Sequence, residues 1–396
     1  MRTNEIPNFS KCATNLSYFK RCALYMDSTI LSKVVVSVPI ILLTTGTLGF
    51  AIYNIKFMDV ADDVTIMENG HWIIVYVAVA LWRIQMARNT KVYVEMSQMV
   101  KSGVYIHGNY TEKDRETFET ANAHIVKANW FFSVGYIVAV LATLTKSTLF
   151  ADNPYQPFFY MWLPIEVNSF LRVNLARAYQ IGCAWSAASG GCAFIVTFIA
   201  MAAHIEAQLE ILIRKIELIL GDNRSILTEN ATTKSSVEIS ERISICLAHH
   251  RAILRLFNNF SQFTSTNLGT TTVVNTLMLC TLGYLLTHPN LDMPLVISFS
   301  GVVIPEFCLL ILFRTHGQTI TDLSMKMNYA IYQLDWWKLN IKTQKDILMW
   351  LRLTSKPLEL TSAGFRNVSH AGIKDLLQTS YTYFNMLKAS KSADLN

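Results

Sequence analysis

VVVSVPIILLTTGTLGFAIY, residues Val34 to Tyr53, lies between Lys33 and Lys56 without a single charge. A helix rises about 1.5 Å per residue, so roughly 20 apolar residues cover the ~30 Å hydrocarbon core of a bilayer. The stretch begins too late and runs too long for a cleaved signal peptide, and MRTNEIPNFS at the start has no apolar region. It reads as a first membrane span. The rest of the chain supports lipid as the solvent. Of 396 residues 52% are hydrophobic and 16% charged, with a mean hydropathy of +0.29. A soluble domain carries about 25% charged residues. This composition excludes a disordered chain, a secreted disulfide scaffold and a nucleic-acid binder.

Six further spans follow. GHWIIVYVAVALW (Gly70 to Trp82) is short and leaves Arg83 to snorkel from its end. ANWFFSVGYIVAVLATLT stops at Lys146, and the next uncharged run, Ala178 to Ile205, contains SAASGGCAFIVTFIAMAA. Its Ser186, Ser189, Gly190 and Gly191 allow close helix approach in lipid. From Leu256 to Leu291 the chain is again uncharged, about 54 Å of helix. Its polar first half, LFNNFSQFTSTN, predicts a helix that starts in water and enters the membrane midway. MPLVISFSGVVIPEFCLLILF, with Glu306 inside it, is the sixth span, and FRNVSHAGIKDLLQTSYTYFNML is a weakly hydrophobic seventh. The expected fold is an all-α membrane protein of seven transmembrane helices, one domain over 1–396.

Lys and Arg favour cytoplasmic loops. With seven alternating spans, 28 of the 34 Lys and Arg residues fall on the side of the N-terminus. The N-terminus is therefore expected in the cytoplasm and the C-terminus outside. None of the seven cysteines falls in an outer loop, so no extracellular disulfide is expected, and Cys183 and Cys192 read as small core residues. A G-protein-coupled receptor has the opposite orientation; the chain also lacks a DRY-type motif after span three and an NPxxY in span seven.

Catalytic signatures are missing: there is no glycine-rich phosphate loop, GxSxG or HExxH. The adjacent His249 and His250 point about 100° apart on a helix and read as a hydrated surface. GDNRSILTENATTKSSVEIS (Gly221 to Ser240) reads as a flexible cytoplasmic linker. No enzyme, cofactor or metal is expected. The last span is more informative. Asp375, Gln378, Thr382 and Asn385 recur every three or four residues and share one face. A polar stripe at membrane depth faces protein or water, because lipid cannot satisfy it. It is either a hydrogen-bonded seam within one subunit or the wall of a pore.

LLQTSYTYFNMLKAS (376–390) resembles the closing S-Y-x-Y-F-x-x-L signature of insect odorant receptors. GQTITDLSMKMNYAIYQLDWWKL (317–339), SKPLEL (355–360) and SAGFRNVS (362–369) resemble stretches that precede it, in the same order. The resemblance implies a subunit of a tetrameric, ligand-gated, non-selective cation channel, with monovalent and divalent cations in a pore lined by the last helix, here 363–390. Cytoplasmic extensions, here 206–265 and 314–362, would anchor the assembly. The shared co-receptor of that family carries a long insertion between spans four and five. Here that loop, from Glu206 to Arg255, is short, which points to an odorant-tuning subunit that assembles with the co-receptor. A self-sufficient gustatory-type channel is the alternative, although TYFNMLKAS departs from the gustatory ending, and a metabotropic seven-helix receptor is a more distant one.

By position, the family's hydrophobic gate falls on Met386 and the next inward turn on Ser390, with Gln378 and Thr382 lining the pore below. The family's odorant pocket lies in the outer half of the membrane. Depth and face there suggest Trp72, Val75 and Tyr76 on span two, Thr143 and Ser147 on span three, and Tyr179, Cys183 and Ser186 on span four, with Met278 and Tyr284 on span five. Aromatics with a few hydroxyls suit a small, mostly apolar volatile. The implied location is the plasma membrane of an olfactory sensory neuron.

Overall fold

A computed structural model describes residues 24, 26, 28–57, 63–102, 111–149, 157–228, 233–286 and 293–394. Side chains at 63–64, 102, 139–140, 142–149, 220–228, 233–236, 284–286, 293–306, 387–388 and 390–394 lie outside the description. The described residues form nine α-helices: α1 (Ile30–Phe57), α2 (Asp63–Arg88), α3 (Thr90–Ser102), α4 (Glu112–Leu149), α5 (Phe170–Thr228), α6 (Thr233–Leu286), α7 (Met293–Tyr332), α8 (Ile341–Thr354) and α9 (Ala371–Asp394). A 3-10 turn (Trp336–Lys338) precedes α8, and a two-stranded antiparallel hairpin, β1 (Thr361–Ser362) and β2 (Arg366–Asn367), precedes α9. Seven of these helices are the membrane-type elements α1, α2, α4, α5, α6, α7 and α9. Among the described residues, Ile30–Phe57, Thr65–Arg88 and Phe170–Ile219 are long and apolar enough to cross a bilayer by length and composition.

Helix α5 is the hub, touching α1, α2, α4, α6 and α7. Every residue from Gly190 to Ile205 is buried. Small residues make this crowding possible. A Cβ on Gly190 would stand 2.8 Å from Arg83 Nε and from Val79 Cγ1, and one on Gly191 would stand 3.2 Å from Tyr136 Oη. Phe198 then stacks edge-on against Phe313 of α7 at 4.5 Å between centroids and meets Phe260 of α6 at 5.2 Å. Aromatic pairs in these geometries add about 0.5–1.5 kcal/mol each beyond their buried area. Helix α1 does the opposite. Val34, Val38, Ile41, Leu48 and Ile55 are exposed, an apolar face suited to lipid.

Four local readings of the sequence are corrected. Arg83 does not snorkel. It is 1% exposed and turns inward to α5, where Nε (3.0 Å) and Nη2 (2.7 Å) donate to the Ser186 carbonyl and Nη2 also donates to Ser189 Oγ (2.5 Å). The stretch Gly221 to Ser240 is largely helical, because α5 continues to Thr228 and α6 begins at Thr233; residues 229–232 lie outside the described residues. His249 and His250 are 2% and 1% exposed, covered on one side by α5 and on the other by α8. His249 Nε2 donates to Gln208 Oε1 (2.7 Å), and His250 Nδ1 accepts from Trp350 Nε1 (3.1 Å). Finally, residues 363–370 are not helix: the hairpin occupies them and α9 starts at Ala371. Burial holds His249 neutral down to about 3 and His250 down to about 4, and Lys215 adds to the first effect.

Helix α4 is started by a reciprocal cap. Thr111 N–H donates to Asp114 Oδ2 (3.1 Å), while Asp114 N–H donates to Thr111 Oγ1 (3.2 Å). Asp114 also takes Arg214 of α5 at 2.7 Å, so the cap ties α4 to the hub.

Candidate ligand pocket and pore helix

Where α1, α2 and the first turns of α5 meet, an aromatic cluster gathers around Tyr76, which is 1% exposed. Its ring meets Phe50 edge-on at 5.7 Å and Trp72 at 6.1 Å. Phe159, from the segment before α5, closes the group against Trp72 (5.1 Å) and Phe50 (6.1 Å). Two glycines one helical turn apart make the space: a Cβ on Gly46 would stand 2.9 Å from the Tyr76 ring, and one on Gly49 would stand 2.6 Å from Met161 Cε. Polar groups fix the rim. Tyr179 Oη donates to Thr45 Oγ1 (2.7 Å) and Cys183 Sγ donates to the Leu42 carbonyl (3.3 Å).

The segment carrying Phe159 is clamped by one amide. Gln180, fully buried, accepts from Phe158 N–H (2.8 Å) and Phe159 N–H (3.2 Å) through Oε1 and donates to the Phe159 carbonyl (3.0 Å) through Nε2. Trp162 N–H donates to the Gly49 carbonyl (2.9 Å), so the segment is seated on α1 as well. The hydrogen-bonding capacity of its backbone is met by protein where water would otherwise be needed.

Helix α9 is built differently. Its start is pinned: Ala363 (φ 52°) and Gly364 (φ 76°) make the hairpin turn, Ala363 N–H donates to the Ser265 carbonyl of α6 (2.9 Å), and Ser362 Oγ meets Thr272 Oγ1 (3.1 Å). Gly317 of α7 lies so close to Val368 that no side chain fits between them. Beyond this anchor Leu376 and Ser380 are buried and Phe384 rests on Gly283 of α6. The opposite face is open. Asp375, Gln378, Thr382, Asn385 and Met386 are exposed, and Asp375, Gln378 and Thr382 line a groove of about 520 Å³ together with Arg366, Thr379 and Tyr383. Thr379 and Thr382 return their hydroxyl protons to the carbonyls of Asp375 and Gln378, leaving lone pairs toward the groove.

A family model described as 7tm Odorant receptor matches residues 63–381, most of the chain, from α2 into the first half of α9. The chain belongs to the insect odorant receptor family. Its receptors are membrane proteins and not enzymes. Putative odorant receptor 85d of Drosophila melanogaster is 24% identical over 152 residues, 37% of this chain and 36% of that protein. Odorant receptor 22c of the same fly is 23% identical over 214 residues, 51% of each. The matched stretches thus span between about a third and a half of the curated relatives. The structure of the olfactory receptor OR5 from Machilis hrabei in complex with eugenol aligns with a TM-score of 0.73, covering 94% of this chain and 98% of that one at 12% identity. The same receptor without the ligand in its description aligns at 0.72. These two share the fold.

In this odorant receptor the pocket residues read from the sequence divide into groups. Trp72, Tyr76, Tyr179 and Cys183 converge on the aromatic cluster. Val75 and Met278 meet on another side of α2, against Ala78 and Val274 of a small α2–α6 cluster. Ser186 sits deeper, its hydroxyl on the Gly182 carbonyl (2.7 Å) and its carbonyl on Arg83. The side chains of Thr143, Ser147, Tyr284, Ser390 and Glu306 lie outside the described residues. Phe50, Phe159, Met161 and Gln180 were missed. Gly46 and Gly49, on one face of α1, were the available signal for the first; the others come from a loop and a long-range clamp that periodicity does not reveal.

Proposed function

We propose that the receptor is an odorant-tuning subunit of a ligand-gated, non-selective cation channel, assembled with the odorant receptor co-receptor as a heterotetramer. It would lie in the plasma membrane of an olfactory sensory neuron, N-terminus in the cytoplasm, as the distribution of Lys and Arg favours. The observation that carries this reading is the open polar face of α9. Lipid cannot satisfy Asp375, Gln378, Thr382 and Asn385. The last helices of four subunits around an axis, α9 among them, would turn such faces inward, and α9 would contribute hydroxyl, amide and carboxylate oxygens, a lining that replaces part of the hydration of a cation. Met386 would stand in the same file as an apolar constriction, with Ser390 following it.

The ligand is a small, mostly apolar volatile, taken in the outer half of the membrane. Trp72, Tyr76, Tyr179 and Cys183 supply aromatic and weakly polar surface, and eugenol, bound by the Machilis hrabei receptor, is a molecule of that character. In the present structure Phe159 packs on Trp72 and Phe50, and Met161 on Gly49, so a ligand entering the cluster there would displace the clamped segment. Val75, Met278 and Ser186 would line the adjoining walls, with Thr143, Ser147 and Tyr284 above them.

The test is whole-cell current in cells without odorant receptors, with this chain expressed alone and with the co-receptor, under esters, alcohols, aldehydes and terpenes while G-protein signalling is blocked. A rapid cation current that requires the co-receptor is expected. A current from this chain alone would replace the tuning-subunit reading with a self-sufficient channel, and a response removed by the block would overturn the channel reading.

A further inference from the structure

A second cavity, of about 710 Å³, opens at the opposite end of the bundle from the aromatic cluster, between α4, α5 and α7. Its existence follows from side-chain size: Ala121 and Ala128 of α4 face Ala203 and Ala207 of α5, and four small residues leave a hollow that Ile199 and Leu312 floor with apolar surface. Its rim is charged. Glu116 of α4 and Glu206 and Glu210 of α5 face Lys113 and Arg214. Arg214 is already committed, to Asp114 at 2.7 Å and Thr117 Oγ1 at 2.8 Å, and Glu206 is held by His316 Nδ1 of α7 at 2.7 Å. With Arg214 paired to Asp114 and Glu206 to His316, the carboxylates of Glu116 and Glu210 outnumber the remaining lysine of the lining, Lys113. An apolar floor beneath an acidic rim, within the volume range of ligand sites (about 300–1,000 Å³), has the chemistry of a receptor for an organic cation.

We propose that this cavity binds an organic ammonium ion with an apolar body, the ammonium group against Glu210 and Glu116 and the body over Ala128 and Leu312. A carboxylic acid would meet the same carboxylates and be repelled, and a neutral alcohol would gain no charge pairing with the exposed Glu116 and Glu210. The site needs neither an odorant nor a pore, so it stands apart from the channel reading.

Equilibrium binding of radiolabelled phenylbutylamine to the full chain in lipid nanodiscs, alone and with the co-receptor, tests it. The expected result is saturable binding, weakened at least tenfold by Glu210→Gln and by Ala128→Leu, which fills the floor without touching the charge. Phenylbutanol should compete at least tenfold more weakly. Binding that survives both substitutions, equal competition by the alcohol, or no saturable binding from a chain that remains folded would overturn the proposal. Native mass spectrometry separates the free amine from a lipid carrying the same ammonium chemistry: a retained choline lipid that is lost in Glu210→Gln and blocks the amine would assign the cavity to lipid and also overturn it.

Discussion

Helix α5 runs through the core of this receptor while α9 lies at its edge, against α6 and α7, and the contrast between them separates what holds the fold from what the fold presents. α5 is buried on all sides from Gly190 to Ile205, with glycine, alanine and serine letting five helices press against it. On α9 the buried described side chains are Leu376 and Ser380, one turn apart; Ile373, Thr379 and Phe384 are half-buried, and the opposite face is open. The open part is not the apolar surface of α1 but a file of carboxylate, amide and hydroxyl groups. A helix surrounded by its own chain is a scaffold; a helix with a wet face in a membrane protein awaits other subunits or water.

The contrast makes graded predictions. Phe198→Ala, in the middle of the buried region, should cost about 3–5 kcal/mol of stability, read as a loss of folded protein on heating in nanodiscs. A cost under ~1 kcal/mol would mean that α5 is not the hub. Acidification comes next and acts where α5, α6 and α8 pack around His249 and His250. The ordinary histidine value is 6.5, while His249 is lowered to about 3 and His250 to about 4. The unfolded chain therefore binds more protons, and stability present above about pH 6.5 is lost as pH falls. At pH 5 the loss is roughly 2 kcal/mol per histidine. The midpoint of thermal unfolding should drop between pH 7 and pH 5, and His250→Phe should blunt the drop.

Gln180→Leu should cost about 1–3 kcal/mol by leaving the backbone groups of Phe158 and Phe159 unpaired, and should make that segment more open to proteolysis. If it also shifts ligand sensitivity, the segment controls access to the aromatic cluster. Smallest of all for stability are changes on the open face of α9. Met386→Lys and Gln378→Ala should move stability by no more than about 0.5 kcal/mol, the range of exposed substitutions. Met386→Lys should nevertheless abolish or reshape the current, and preserved amplitude and ion selectivity would remove Met386 from the conduction path.

Much of this division was legible in the sequence. Uncharged runs located the membrane helices, and the three- and four-residue spacing of Asp375, Gln378 and Thr382 placed them on one open face. Tyr76 and Cys183 were singled out by depth on helices already identified, and the structure brings the two side chains together. Arg83 was misread because reach along a helix says nothing of the room that Gly190 opens on a neighbour about a hundred residues away. His249 and His250 were misread for a related reason: adjacency on one helix suggests one wet side, but α5 and α8 cover both. Phe159 depends on Gln180, and that contact belongs to tertiary structure alone.

The most direct measurement places a cysteine at Thr382, co-expresses the variant with the co-receptor, and applies a charged methanethiosulfonate reagent during an odorant-evoked current. An irreversible fall in that current is expected, faster when the channel is open, with no change in the amount of receptor at the surface. A modified Thr382→Cys receptor that carries an unchanged current would contradict the central claim, that the open face of α9 lines the ion path.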